Sequence, residues 1–367
     1  MKKLVALFLC LTMFLLLFTA CNSSSDSNEE SGKTPGEMPS GTVAKGENWW
    51  EEINFDKDVH LTFASTGSPR SGSGIATEKA IALLKERSGG KIVIEQVFNG
   101  ALGNEQSTFA QCMEGSIDIT GCGTGTVSQY VPYFEVFQLP FLIGSYEQEW
   151  AVMQSDEWKA LRKRVNDELD GITIISMTEF GMRQFATIKK PIKTIDDIKG
   201  LKIRSIGNPV IDEALKAIGA NPVNITYTDL YSSLQNKVID GEEINATSVS
   251  MQKHYEVVNY ISEIGFYPFL SMAVMSDAII ESLPEGYFDL IMQCFAETDE
   301  WYMTEAIYDW DSHGRQDCID NGIEFNTIED RDVWIEKMLP LYEKKSEEDP
   351  MYKEFIEKAQ SLQKSKQ

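Results

Sequence analysis

The sequence predicts a two-lobed α/β protein. Three observations carry that expectation. The chain has 367 residues, and single hydrophobic cores stop growing beyond roughly 250–300 residues, so the length favours two lobes over one. Strand-like and helix-like segments alternate from residue 59, with three such units before residue 130, the grammar of a mixed or parallel sheet. The alternation starts afresh near Arg183, as a second lobe requires. With 42% of residues in the apolar class and 25% charged, the composition is that of a folded globular chain rather than a disordered one.

The N-terminus sets the compartment. Lys2 and Lys3 precede an apolar run over residues 4–18, followed by Thr19-Ala20-Cys21. Two positive charges, a short apolar stretch and small residues before a cysteine read as a secretory signal, too short for a spanning helix. The ending resembles a bacterial lipoprotein box, which implies cleavage before Cys21 and a lipid on its thiol. Residues 22–48 are rich in Ser, Gly, Pro and Glu and bury too little surface to offset their ordering entropy, so they form a flexible tether. Four cysteines remain in the body of the chain, Cys112, Cys122, Cys294 and Cys318. They lack CxxC spacing and are either free buried thiols or two disulfides.

Each element follows from its pattern. Residues 59–64 (VHLTFA) read as a strand, the Gly/Ser-rich 65–74 as a loop, and 75–85 as a helix by apolar spacing. Residues 91–97 alternate as a second strand, 104–114 form a helix and 116–121 a third strand. Residues 150–169 read as one amphipathic helix and 172–177 as a strand. The second block opens with PIKTIDDIKGLKIR over 191–204, a short helix and a strand, then helices over 210–218 and 229–236. After Pro268 the run FLSMAVMSDAII reads as a strand returning to a sheet. Long helices are expected over 285–310 and 329–360, with 317–326 between them.

Several chemistries are disfavoured. Thirty-three basic against 57 acidic residues give a net charge of −24, which argues against phosphate-backbone recognition and hence nucleic acid. Removing Lys2 and Lys3 with the signal leaves 31 basic residues and −26. The three histidines, His60, His254 and His313, have no i, i+4 pairing, so no histidine metal site is expected. Gly121-Cys122-Gly123-Thr124-Gly125 lacks the third glycine of a dinucleotide loop and the Lys-Ser/Thr of a P-loop. It reads as a tight loop where backbone approaches a ligand or a neighbouring strand. No nucleotide, cofactor or metal is expected, and no nucleophile–base–orienter set is visible.

Two arginines stand out. Arg183 follows a strand and Arg204 ends the strand LKIR, where an open α/β sheet presents its ligand crevice. A guanidinium is a rigid fork of donors that matches a carboxylate and stays charged when desolvated. Either the two arginines select a small anion or they pair with surface acids.

Residues 181–204 (GMRQFATIKKPIKTIDDIKGLKIR), then GANPV at 219–223, DLYSSLQ at 229–235 and IDGEE at 239–243, resemble the solute-binding proteins of tripartite ATP-independent periplasmic (TRAP) transporters. LGNE at 102–105, GSID at 115–118, LPF at 139–141 and KHYEV at 253–257 match in the same order, so the likeness covers about residues 58–311. The resemblance implies a periplasmic-binding-protein-like fold, two α/β lobes with crossing strands and a long helix spanning both. It places 51–181 with 270–310 in one lobe and 182–269 with 311–367 in the other, after a signal at 1–20 and a tether at 21–50.

It also implies a small organic anion, a carboxylate such as a sugar acid, held in the interlobe cleft and delivered to the membrane permease subunits by a lipid-anchored monomer without enzymatic activity. Arg204 would bridge the carboxylate, Arg183 would support it, Tyr227 would pack on the ligand and Asn208 would contact it. Glu243 would hold Arg204 in place. Asn245 is the candidate for the family asparagine, unless Ile244 replaces it. Ser65, Thr66, Asn104 and Thr124 are candidates for ligand hydroxyls. Competing readings are a ligand sensor on the same fold and an extracellular hydrolase using two carboxyls.

Overall fold

The computed structural model describes residues 48–363. The signal, Cys21 and most of the tether lie outside the described residues. Within them run eleven strands: β1 Val59–Ala64, β2 Ile92–Val97, β3 Ile119–Gly123, β4 Ile172–Met182, β5 Gln184–Thr187, β6 Lys202–Ser205, β7 Asn221–Asn224, β8 Gly241–Ile244, β9 Tyr260–Glu263, β10 Pro268–Ser276 and β11 Glu324–Thr327. They form two mixed sheets, a five-stranded one in the order β2-β1-β3-β10-β4 and a six-stranded one in the order β11-β9-β5-β8-β6-β7. In the first, β1 is parallel to β2 and β3 while β10 runs antiparallel between β3 and β4. In the second, β6 is parallel to β7 and β8 and β5 antiparallel to β8 and β9. The mixed α/β, two-lobed class follows from these two sheets.

The chain passes between the sheets twice. The first passage is at Arg183, between β4 and β5; the return lies between β9 and β10. The two passages are bonded to each other, since the Arg183 N–H donates to the Tyr267 carbonyl and the Phe266 N–H to the Arg183 carbonyl, both at 2.8 Å. Arg183 is therefore fixed by backbone on both sides. A third link is the helix Tyr287–Trp301, which continues through a π turn at Tyr302–Ala306 into Ile307–Asp320. Its first part buries Tyr287, Leu290 and Phe295 against Leu61, Phe63 and Ile119 of the first sheet, and Cys318 near its end lies in the cluster of Ile244, Val249 and Ile261 of the second.

Capping explains where the elements depart from the pattern reading. The helix after β1 begins at Gly72, inside the expected loop, because the Ser71 side chain accepts from the Gly74 N–H. Residues 150–169 are two helices, Tyr146–Met153 and Asp156–Glu168, since Ser155 accepts from the Trp158 N–H and starts the second. The expected helix over 329–360 breaks in the same way, at Asp349, which accepts from the Met351 N–H ahead of Pro350; proline lacks the N–H needed to continue the preceding turn. The helix expected to end near residue 310 runs to Asp320, and the strand after Pro268 stops at Ser276, giving way to a helix at Asp277–Ser282. All four cysteines of the body are free and buried.

Candidate ligand-binding site

A cavity of about 320 Å³ takes its walls from both sheets. The loops following β1, β3, β6 and β7 each contribute, so it lies beyond the carboxyl ends of the parallel strands, the expected crevice of an open α/β sheet. From the first sheet come Ser65 and Thr66 after β1, Asn104 to Gln106 at the start of the helix Glu105–Met113, and Gly121 to Gly123 of β3. From the second come Arg204, Ile206 and the segment Asn224 to Thr228, with Ser248 behind them. Phe180, Arg183 and Phe269, on or beside the passages between sheets, close the floor.

Local sequence sets the arginines. In β6 the burial pattern places Ile203 in the core, so strand alternation turns Arg204 to the opposite face. The Arg204 Nε–H donates to the Ile225 carbonyl at 3.1 Å, which orients the fork. Gly181, two residues before Arg183, has φ 102, a backbone conformation that favours glycine, and a Cβ there would meet Asn245 Cβ at 3.1 Å. Arg183 then lies over the Phe269 ring, its Cζ 4.0 Å from the centroid, a cation–π contact strengthened by desolvation.

One carboxylate serves both guanidinium groups. Glu243 Oε2 is 3.3 Å from Arg183 Nε and Glu243 Oε1 is 3.7 Å from Arg204 Nη1, while the Tyr267 hydroxyl donates to Oε2 at 2.7 Å. Glu243 is fully buried and each arginine only 4% exposed. Burial raises the Glu243 pKa, opposed by Arg183, Arg204 and the Tyr267 hydrogen bond. Burial likewise lowers that of Arg204, opposed by Glu243 and reinforced by Arg183. For Arg183 burial is outweighed by Glu243, Tyr267 and Glu179, and its pKa is raised. The two arginines move in opposite directions because the charge of Arg183 adds to burial at Arg204, whereas Tyr267 and Glu179 reinforce Glu243 at Arg183. Arg204 Nη1 and Arg183 Nε are ion-paired with Glu243 without hydrogen-bond geometry, so two cations share one close counter-charge beside a cavity.

Six of the ten candidate site residues line the cavity: Arg183, Arg204, Tyr227, Ser65, Thr66 and Asn104. Asn104 also accepts from the Ser107 N–H as a helix cap. Four are placed elsewhere. Glu243 lies behind the arginines. Asn208 is fully buried, donating to Gln138 Oε1 at 2.6 Å and capping the helix Pro209–Ala217 through the Val210 N–H. Asn245 accepts from the Ser248 N–H and donates to the Phe180 carbonyl, while Ile244 belongs to the core. The buried Thr124 hydroxyl has no partner and does not line the cavity. The glycine run is not the expected tight loop, because Gly121 to Gly123 are strand and Gly125 lies in the helix Thr124–Val127. Their service is close approach, since a Cβ on Gly123 would lie 2.6 Å from Phe269 Cζ.

Sequence reasoning missed several residues of the site. Phe269, the aromatic partner of Arg183, follows an unremarkable Pro268, and Tyr267 touches Glu243 across 24 residues. Glu105 sits beside the selected Asn104 in LGNE and was within reach of that motif. Among the described residues no helix is long and apolar enough to cross a membrane.

A sequence-family model described as bacterial extracellular solute-binding protein, family 7 (DctP), matches residues 63–349. The C4-dicarboxylate-binding protein DctB of Bacillus subtilis is 25% identical over 300 residues, 80% of this chain and 83% of that protein. Among solved structures, a TRAP periplasmic solute-binding protein from Chromohalobacter salexigens with bound D-glucuronate superposes with a TM-score of 0.76 at 23% identity, covering 83% of this chain and all of that one. The sugar-acid-binding protein of Advenella mimigardefordensis in complex with galactonate gives 0.78 at 24% identity, covering 83% and 99%.

Proposed function

The chain belongs to the DctP family of extracellular solute-binding proteins that serve TRAP transporters, and from that premise we propose that it captures a small organic anion, a carboxylate such as a sugar acid. The anion sits between a lobe formed by 51–181 with 270–310 and one formed by 182–269 with 311–367, and is passed to the membrane permease subunits. The observation that carries this reading is the arginine pair on one buried carboxylate. Arg204, the cation less well served by Glu243, takes the ligand carboxylate and Arg183 supports it; a fork of donors in a desolvated cleft holds such a group far better than a solvated lysine would. Tyr227, Ser65, Thr66 and Asn104 face the remainder of the ligand, while Glu243 acts from behind the arginines. The protein works by binding rather than by turnover.

The relatives frame the ligand class without fixing it, since one is a C4-dicarboxylate-binding protein and another holds galactonate. The net charge of −24 opposes an anion only at long range. At physiological salt the Debye length is about 8 Å, so the surface acids are screened and the enclosed arginines dominate. Lipidation of Cys21 would hold the monomer at the outer face of the membrane, the tether giving it reach. Thermal unfolding of the full chain against hexonates, hexuronates, dicarboxylates, keto acids and sulfonates tests the reading. One class of anion raises Tm in the wild type and not in Arg204→Ala; if no anion does so, the proposal falls.

A further inference from the structure

We infer that Glu105 is a specificity-determining residue that restricts the site to polyhydroxylated acids bearing a single carboxylate and excludes the corresponding diacids. The inference rests on the anion-binding reading above and asks what the far end of the ligand can be. The charged side chains lining the cavity are Arg183, Arg204 and Glu105, with no lysine or histidine among the described lining residues. Both arginines are gathered around Glu243 at one side. The remaining polar lining is of neutral hydroxyl and amide side chains such as Ser65, Thr66, Gln106, Gln129 and Thr226, set among apolar groups such as Phe180, Phe269 and Ile206. A second carboxylate, placed away from the arginines, would find no cation.

It would instead meet Glu105, which is held in place. Glu105 opens the helix Glu105–Met113, and its Oε1 accepts from the Gly123 N–H at 2.8 Å and from the Thr126 hydroxyl. Two donors on one oxygen fix the carboxylate and keep it an acceptor, while its other oxygen takes no protein donor among the described residues. A ligand hydroxyl can donate to that oxygen; a ligand carboxylate can only repel it, and like charges in a partly desolvated cleft are strongly unfavourable. Two charged elements thus divide the work, the arginines selecting one carboxylate and Glu105 rejecting a second. With Arg183 and Arg204 set against Glu243 and Glu105, the four side chains sum to zero before the ligand arrives, so a dianion would carry the cleft to −2.

The test compares acids of one carbon skeleton by calorimetric titration of the full chain: D-galactonate against galactarate, and D-glucuronate against D-glucarate. The wild type binds the better mono-acid at least about tenfold more tightly than its diacid. Glu105→Gln keeps an acceptor oxygen for Gly123 and Thr126, and it narrows that ratio by about tenfold, mainly through tighter diacid binding. Should this variant fold poorly, judged by its unliganded Tm, the monomethyl ester of the diacid offered to the wild type removes the same charge from the ligand and recovers mono-acid-like affinity. A wild type that binds mono-acid and diacid alike, a ratio unchanged in a folded Glu105→Gln, or an ester no better than the diacid overturns the role of Glu105 and leaves anion capture standing. If neither mono-acid binds while another anion does, the polyhydroxylated class is wrong; if no anion binds, both readings fall.

Discussion

The two walls of the cavity are built on opposite electrostatic plans. The wall from the second sheet and the passage strands carries Arg183 and Arg204 over the buried Glu243. The wall from the first sheet offers Ser65, Thr66, Asn104 and Gln106, with Glu105 as its sole charge. Charge on one side gives strength and polarity; neutral hydrogen-bonding groups on the other give discrimination, because a missing or misplaced hydroxyl leaves a buried polar group unpaired. Affinity and selectivity are therefore separable by mutation.

The largest expected effect lies on the charged wall. Arg204→Ala lowers affinity for any anion by about a hundredfold or more, and Arg204→Lys recovers little of it, because a point charge replaces the fork; titration calorimetry measures both. Equal affinity in Arg204→Lys and wild type would show that charge alone suffices. Next is Glu243→Gln, which leaves two buried guanidinium groups without a counter-charge and costs about 3 kcal/mol of unliganded stability. A bound anion replaces part of the lost charge, so the rise in Tm on adding ligand is greater in this variant than in the wild type.

A third prediction contrasts Glu243 with another buried carboxyl that has no such cation at hydrogen-bonding range. Glu179, on β4, accepts from the Phe269 N–H at 3.0 Å and faces the fully buried Glu149. Burial raises the Glu179 pKa from 4.5 to about 7, with the Glu149, Phe269 and Gly181 hydrogen bonds and Arg183 opposing it. A raised carboxyl pKa means the folded protein holds the proton more tightly than the unfolded chain. The stability it contributes is complete below pH 4.5 and is lost as pH rises through about 7. Partly buried Asp299, raised to about 7 chiefly by desolvation, acts in the same sense. Denaturant midpoints of the wild type fall across that window, and Glu179→Gln flattens the fall; an unchanged slope would sink the assignment. The smallest effect is that of Asn208→Ala, which removes a helix cap and the Gln138 partner. It costs about 1–2 kcal/mol of stability and leaves anion affinity unchanged, since Asn208 lies outside the cavity lining.

Much of this was legible from local pattern. The strand VHLTFA occupies the expected residues 59–64, and Arg204 lies on the cavity because LKIR is a short strand whose alternate residues face opposite sides. Helix boundaries were less legible where one hydroxyl or carboxylate decides them, as at Ser155 and Asp349. Apolar spacing continues across such a cap, so a periodic pattern reads two helices as one.

The residues facing the ligand divide along the same line. By itself the sequence determined the alternation of strands and helices, the second start near Arg183, the family, and the presence of two arginines at strand ends. Local pattern could not say which acid would meet them, because Glu242 and Glu243 are adjacent and chemically alike; the family resemblance alone singled out Glu243 as the partner of Arg204. Only the tertiary structure decided that the same carboxylate also serves Arg183, and why. In β8 their side chains leave opposite faces of the strand, Glu242 to His254 Nδ1 at 2.9 Å and Glu243 to Arg183, Arg204 and Tyr267. Strand register, set by the packing of the whole sheet, made one glutamate a partner of histidine and the other the counter-charge of the site.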